Sequence, residues 1–170
     1  MNPPPALHIL GVRVHAVTMA QTLDWVEAAV DARAPRQLCT ANPEFVMAAQ
    51  RDPDFLRVLN QADLVIPDGI GLVWAARWLG RPLPERVAGS DLVGLIAERA
   101  ARRGWRLFFL GAAAGVAQRA AAVLQARYPG WVLAGAYAGS PRPEDEAAIR
   151  AMIQAARPDV LLVAYGAPAQ

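Results

Sequence analysis

Short apolar runs alternate along the chain with longer segments in which apolar residues recur at helical spacing. Leu23, Val26 and Val30, for example, fall three and four positions apart and mark one face of a helix. The runs that predict strands lie, in chain order, within ALHILGVRVHAV, RQLCTA, DLVIP, WRLFFLG, WVLAGAYAG and DVLLVAYG. This alternation predicts an α/β fold of Rossmann-like type, with a mostly parallel sheet flanked by helices on both faces.

Polar residues that suit helix N-termini precede several of the predicted helices. Thr18 opens a capping box, and Asn42 and Asp52 each stand before a proline at the first helical position. Ser90 is the predicted cap of a helix that Gly104 ends. Local signals therefore predict where these helices begin and end.

Composition limits the class of protein. The chain has 170 residues, 55% of them hydrophobic, so we expect a single domain over residues 1–170. All 17 basic residues are arginines, and the absence of lysine excludes a Schiff-base lysine, a P-loop lysine and a Ser-Lys dyad. A net charge of +2 is too small to favour a nucleic-acid partner.

The cellular compartment is indicated by what the sequence lacks. The single cysteine, Cys39, can form neither an internal disulfide nor a cysteine zinc cluster, which fits a reducing cytosol. The opening residues MNPPPALHIL do not have the charged and apolar regions of a signal peptide. No apolar run approaches the roughly 18 residues of a membrane span. We expect a cytoplasmic protein that can touch a membrane without crossing it.

Asp68 follows the buried run DLVIP directly and precedes Gly69 and Gly71. The carboxyl ends of parallel strands form the edge at which such sheets bind ligands. A carboxylate there can act as a general base, and the glycines would let a substrate approach the backbone. A structural role explains Asp68 equally well, because it could cap the helix that starts at Gly69.

Three other predicted strands also end in polar or small residues. CTANPE places Thr40 and Asn42 at a strand end, although Asn42 is also a good helix cap. FFLGAAAG places Gly111 before a helix N-terminus suited to a phosphate, but the G-x-G-x-x-G fingerprint of a dinucleotide site is missing. AYGAPAQ places Gly166 after the last strand. We predict no metal site, because Asp52 suits a cap better than a ligand and the two histidines lack spaced partners.

Five stretches, taken together, resemble one protein family. They are TANPE, ADLVIPDGIGLVWAAR, RVAGSDL, FFLG and PDVLLVAYGAPAQ. In this order and spacing they are similar to the WecG/TagA/CpsF bacterial glycosyltransferases, which include the N-acetylmannosaminyltransferases of wall teichoic acid and enterobacterial common antigen synthesis. The resemblance covers Leu10 to Gln170.

The resemblance implies a reaction and the residues that perform it. The reaction is an inverting transfer of N-acetylmannosamine or its uronic acid from a UDP-sugar to a polyprenyl-diphosphate-linked saccharide, without a metal or other cofactor. Asp68 would remove the acceptor proton, and Arg86 would offset charge on the leaving diphosphate. Thr40 and Asn42 would line the donor pocket, and Gln170 matches the glutamine of the family's G-x-P-x-Q-E turn.

For Arg86 a structural alternative exists, namely a surface ion pair with Glu85 or Asp91. A guanidinium nevertheless suits a diphosphate leaving group when no metal is bound. The family pattern also continues beyond Gln170, with a further helix and a C-terminal appendage rich in basic and apolar residues. We therefore expect a truncated, excised or degenerate member of the family.

Two tryptophans and two arginines recur at helical spacing after the Asp68 motif: Trp74, Arg77, Trp78 and Arg81. Indoles and guanidinium groups on one side of a helix suit a lipid headgroup layer, which would place the protein peripherally on the inner face of the cell membrane. Packing in the core or at an interface between copies is the alternative. A membrane surface and a homo-oligomer both remain open.

Two functions of other classes also remain open. A doubly wound sheet would suit an NAD(P)-dependent oxidoreductase, which NADH fluorescence on mixing would detect. The missing C-terminal region would suit a non-catalytic binding or assembly protein. That reading predicts a folded chain that neither hydrolyses nor transfers any UDP-sugar.

Overall fold

The computed structural model describes residues 4–166. Its strands are β1 (Ala6–Ile9), β2 (Val12–His15), β3 (Leu38–Ala41), β4 (Leu64–Pro67), β5 (Arg106–Gly111), β6 (Val132–Tyr137) and β7 (Val160–Ala164). Its helices are α1 (Met19–Asp31), α2 (Pro43–Ala49), α3 (Pro53–Gln61), α4 (Ile70–Trp78), α5 (Gly89–Arg103), α6 (Val116–Arg127) and α7 (Pro143–Ala156). Every predicted strand run contains a strand, and the first run folds into a pair.

The chain divides into two compact units, one from Met1 to Leu92 and the other from Val93 to Gln170. Each unit has its own parallel strands and its own buried apolar residues. The expectation of one domain over residues 1–170 stays a prediction, and the units are described in turn.

The first unit combines an antiparallel hairpin with a parallel strand pair. Strands β1 and β2 are joined by Leu10 and Gly11, whose φ angles of +46° and +82° suit a two-residue hairpin turn. Asn60 of α3 holds this hairpin, because its Oδ1 accepts from the Arg13 backbone N–H at 2.8 Å and its Nδ2 donates to the Gly11 carbonyl at 2.9 Å. Strands β3 and β4 run parallel.

His15 connects the hairpin to the parallel pair. Its Nδ1 accepts a hydrogen bond from the Val65 backbone N–H of β4 at 2.9 Å, and the side chain is buried. Burial, reinforced by the nearby Arg13 charge, lowers the pKa of His15 below its usual value. His15 is therefore a buried histidine of the core.

An apolar core cluster lies in the first unit, with each of its four strands and three of its helices contributing. Its buried members are Leu7, Ile9, Val12, Val14, Ala41, Val46, Ala49, Phe55, Leu59, Ala62, Val65, Leu72, Ala76 and Leu83. Thr18, Asn42 and Asp52 cap α1, α2 and α3 through their side-chain oxygens, which confirms the three predicted caps. Ser90 does not match its prediction, because α5 already begins at Gly89 and Ser90 lies in its first turn.

The second unit contains a parallel three-stranded sheet in the order β6-β5-β7. Strand β5 is central and is buried except for its first residue, Arg106; Phe108 is 1% exposed. The connections through α6 and α7 run in opposite directions across the sheet, which for right-handed crossovers predicts that these helices lie on opposite faces. Parallel strands with flanking helices in both units confirm the predicted α/β, Rossmann-like class, with the β1–β2 hairpin as an antiparallel addition.

Candidate active site

The carboxyl ends of β3 and β4 lie side by side in the first unit. The last residues of the two strands, Ala41 and Pro67, are register partners. The Asp68 backbone N–H extends the ladder by donating to the Ala41 carbonyl at 2.7 Å. Thr40 in β3 and Asn42 just after it therefore share an edge with Asp68, which directly follows β4, as expected for the ligand edge of a parallel sheet.

The Asp68 carboxylate is not the cap of α4. Gly69 occupies that position, and no side chain caps the helix. Instead, Asp68 Oδ2 accepts a hydrogen bond at 3.1 Å from the backbone N–H of Gly89, the first residue of α5. The prediction that Asp68 could cap the helix after Gly69 was therefore wrong. Its carboxylate does accept a backbone N–H at a helix N-terminus, but the helix is α5. Within residues 4–166, Oδ1 accepts no hydrogen bond.

Gly89 is a site residue that the sequence reasoning did not single out. A Cβ at this position would lie 2.8 Å from Thr40 Cγ2 and 3.3 Å from Asp68 Oδ2. Only glycine therefore lets the start of α5 approach both side chains this closely. Gly89 could have been identified from the sequence because it lies in RVAGSDL, one of the stretches that carry the family resemblance.

Asn42 has a structural role that the sequence also predicted. Its Oδ1 accepts from the Phe45 backbone N–H at 2.8 Å and caps α2. Its Nδ2 donates to no group among residues 4–166. The cap thus fixes the side chain while an amide donor stays available at the strand edge.

Gly69 and Gly71 pack against Pro43 at the start of α2. A Cβ on Gly69 would lie 2.5 Å from Pro43 Cδ, and one on Gly71 would lie 2.9 Å from Pro43 Cγ. The close packing of α4 on α2 therefore explains why both positions need glycine. Their predicted contact with a substrate stays a prediction.

Arg86 lies in a segment attached to the end of β4. The next residue, Val87, donates its backbone N–H to the Pro67 carbonyl at 2.8 Å. Arg86 Nη2 lies 3.8 Å from Asp91 Oδ2, which is too long for a hydrogen bond, and the arginine side chain is 49% exposed. Glu85 forms no ion pair with Arg86, and its carboxylate accepts the Met19 backbone N–H at the start of α1. The predicted ion pair is therefore present only as a long contact with Asp91.

The remaining predicted site residues lie in the second unit or outside the described residues. Gly111 has a φ of +100°, and a Cβ there would lie 2.7 Å from the carbonyl carbon of Ala164. Only glycine fits where β5 ends beside β7. Gly166 also has a positive φ, of +81°. Gln170 lies outside the described residues, and substrate binding by any of the three stays a prediction.

Residues 4–166 contain neither a metal-binding cluster nor a helix that could span a membrane. No group of three or more His, Cys, Asp or Glu side chains there could hold a metal ion. Asp52 Oδ1 accepts from the backbone N–H groups of Asp54 and Phe55, so it is the predicted cap. None of the helices in this part of the chain has the length and apolar composition needed to cross a bilayer.

Comparison with known proteins places the chain in a family. The chain is 37% identical over 133 residues to an N-acetylglucosaminyldiphosphoundecaprenol N-acetyl-beta-D-mannosaminyltransferase of Bacillus spizizenii, with 78% of this chain and 51% of the relative aligned. Identically named proteins of Bacillus subtilis and Staphylococcus aureus are 31% and 33% identical, with 83% and 95% of this chain aligned. The alignments cover 54% and 64% of those two relatives, so the chain spans between half and two thirds of their length.

The sequence model of the glycosyl transferase WecG/TagA/CpsF family matches residues 7–170 of the chain. This range contains both strand ends, Asp68 and the Arg86 segment, so the match includes the whole candidate site of the first unit. The chain belongs to the WecG/TagA/CpsF family of glycosyl transferases.

Proposed function

We propose that this chain carries the catalytic core of an inverting glycosyltransferase. It would move N-acetylmannosamine or its uronic acid from a UDP-sugar to a polyprenyl-diphosphate-linked saccharide. The observation that carries the proposal is the shared edge of β3 and β4, where Thr40, Asn42 and Asp68 lie beside the segment that holds Arg86. Family membership supports the reaction class, and the names of the relatives support N-acetylmannosamine as the sugar and a polyprenyl-diphosphate-linked N-acetylglucosamine as the acceptor.

Asp68 is the general base of the proposed reaction. Its carboxylate takes the proton of the acceptor hydroxyl as that oxygen attacks the anomeric carbon of the donor. The new carbon–oxygen bond forms on the face opposite UDP, the bond from the anomeric carbon to the diphosphate oxygen breaks, and UDP leaves with both electrons. Oδ1 is the oxygen that receives the proton, because Oδ2 already accepts from Gly89.

Arg86 stabilises the leaving group in the same proposal. Negative charge grows on the diphosphate as the donor bond breaks, and a guanidinium can donate two parallel hydrogen bonds to phosphate oxygens. The 3.8 Å separation from Asp91 leaves the donors of Arg86 available for this role. Thr40 and the Nδ2 of Asn42 would contact the donor. Further substrate contacts are proposed at Gly69, Gly71, Gly111, Gly166 and Gln170.

The proposed acceptor fixes where the reaction takes place. A polyprenyl chain holds the acceptor in a bilayer, whereas a UDP-sugar is water-soluble. The enzyme would therefore work as a peripheral protein on the cytoplasmic face of the cell membrane. The comparisons give no support to the oxidoreductase or to the non-catalytic alternative.

A transfer assay tests the proposal. The purified chain is given UDP-N-acetylmannosamine and polyprenyl-diphosphate N-acetylglucosamine, and the anomeric configuration of the product is read by NMR. We expect a disaccharide whose new linkage is inverted relative to the donor. Failure of the folded chain to transfer, or a product with retained configuration, would contradict the proposal.

The matched control for the leaving-group role is a second exposed arginine. Arg57 pairs with the exposed Asp54 on α3 and has no part in the proposed site. Arg86→Ala should weaken UDP binding and slow transfer, whereas Arg57→Ala should change neither. Equal effects of the two substitutions would remove Arg86 from the proposal.

A further inference from the structure

Helix α4 of the first unit presents an apolar and basic face that no other described part of the chain covers. We define the α4 face as Ile70, Trp74, Arg77 and Trp78. Trp74 is 59% exposed and Trp78 is 87% exposed. We propose that the α4 face is a docking surface for an anionic lipid bilayer, an inference that rests on the proposed function for its biological setting.

The helix is already anchored by its other side. Leu72 and Ala76 are buried in the core of the first unit, 3% and 0% exposed. Ile70, Trp74 and Trp78 recur at i, i+4 and i+8, about half a turn away from that buried pair. The tryptophans therefore do not contribute to the core, which removes one of the two alternatives that the sequence left open.

The chemistry of the face favours lipid headgroups. Indole rings have an apolar body and a polar N–H, and they prefer the boundary between acyl chains and headgroups. Of the five tryptophans, Trp105 and Trp131 are 5% exposed, so the large exposed indole surface is concentrated on α4. Apolar residues grouped on one exposed face mark an interaction surface more often than isolated ones do.

Charge makes the surface complementary to anionic lipids. Residues 70–84 contain two arginines, Arg77 and Arg81, and no acidic residue. Arg77 forms no ion pair or side-chain hydrogen bond within residues 4–166. Arg81 donates one hydrogen bond to the Ala6 carbonyl at 3.1 Å, which holds it at the end of the helix. The next acid, Glu85, is engaged by the Met19 backbone N–H.

Helix α4 also connects the docking face to the candidate site. It begins at Ile70, two residues after Asp68. At about 1.5 Å per residue, Trp78 lies about 12 Å along the axis from Ile70. A bilayer against this face would therefore lie close to the strand edge at which a lipid-linked diphosphate must be presented.

Vesicle binding tests the proposal directly. Sedimentation of the full chain with phosphatidylglycerol vesicles and with phosphatidylcholine vesicles measures partition, and brominated acyl chains report contact with indoles by quenching their fluorescence. We expect binding to phosphatidylglycerol, weaker binding to phosphatidylcholine, and quenching. Joint replacement Trp74→Ala and Trp78→Ala should reduce partition at least about tenfold. Arg77→Gln should reduce it about fivefold on phosphatidylglycerol only.

Helix α6 offers matched controls. Val123 and Arg119 are exposed on that helix, so Val123→Ala and Arg119→Gln should leave vesicle binding unchanged. Circular dichroism checks that each variant is folded. A folded wild-type chain that binds neither kind of vesicle would overturn the proposal. Equal losses of vesicle binding in the α4 and α6 variants would also overturn it.

Other occupants of the face give different results. If the α4 face joins two copies of the chain, the paired tryptophan substitutions will turn a dimer into a monomer in sedimentation velocity without changing vesicle binding. This result would overturn the lipid proposal. UDP binding separates this proposal from the proposed function, because the α4 variants should bind UDP as tightly as the wild-type chain whatever the vesicles show.

Discussion

Asp68 has two separable roles, and two substitutions distinguish them. Its Oδ2 holds the N-terminus of α5 through Gly89, and the carboxylate is the proposed base. Asp68→Ala removes both the hydrogen-bond acceptor and the base. Asp68→Asn keeps an oxygen that can accept from Gly89 but removes the base. The pair should therefore differ in stability and agree in activity.

The structure sets the size of each effect. Losing a side-chain acceptor at a helix N-terminus costs about 1 kcal/mol in free energy of unfolding, so Asp68→Ala should lower Tm by about 2–4 °C in a chain of this length. Asp68→Asn should stay within about 0.5 kcal/mol of the wild-type chain. Removal of a general base slows proton transfer by roughly 10²–10⁴-fold, and both variants should show this loss in the transfer assay.

Asp52 is the matched control for this experiment. It caps α3 by accepting from two backbone N–H groups, and it lies outside the proposed site. Asp52→Ala should destabilise the chain about as much as Asp68→Ala while leaving the rate of transfer unchanged at a temperature where both are folded. Wild-type transfer by Asp68→Asn would refute the base assignment and leave Asp68 with its structural role alone.

Three further predictions concern stability and reactivity. Because burial lowers the pKa of His15, the unfolded chain binds more protons there, so the free energy of unfolding should fall as pH drops below about 6.5. Urea unfolding between pH 5 and 8 measures this free energy. The same pH dependence in His15→Asn and in the wild-type chain would contradict the prediction. Gly135→Ala would place a Cβ 2.4 Å from the buried ring of Phe108, and the strain should cost about 1–3 kcal/mol in thermal melts; an unchanged Tm would be the contrary result. Burial raises the pKa of Cys39, so iodoacetamide should alkylate it more slowly than free cysteine at the same pH, with the difference disappearing in urea. Equal rates in native buffer would show that the thiol is not shielded.

The sequence predicted those parts of the structure that depend on neighbours along the chain. Thr18, Asn42 and Asp52 are caps because their partners lie two or three residues away, and such spacing is visible in the sequence. The strands could also be predicted from the sequence, because buried parallel strands are short and continuously apolar. Leu64 to Pro67, for instance, are all buried.

The contacts that shape the site join residues far apart in the sequence, and these could not be predicted. Asp68 binds Gly89, 21 positions away, so the helix that it stabilises is α5 instead of the adjacent α4. Position 69 needs glycine because Pro43 packs against it, and the residues next to Gly69 in the sequence do not reveal this contact. The order β6-β5-β7 is likewise a tertiary property, since all three strands have similar apolar runs.

Calorimetric titration of the purified chain with UDP tests the central claim most directly. The account predicts saturable binding without added metal, weakened by Arg86→Ala and unaffected by Arg57→Ala. Binding should also persist in Asp68→Asn, because the base acts on the acceptor and not on the nucleotide. A folded chain that does not bind UDP, with or without magnesium, would contradict the claim that the edge of β3 and β4 is a UDP-sugar site.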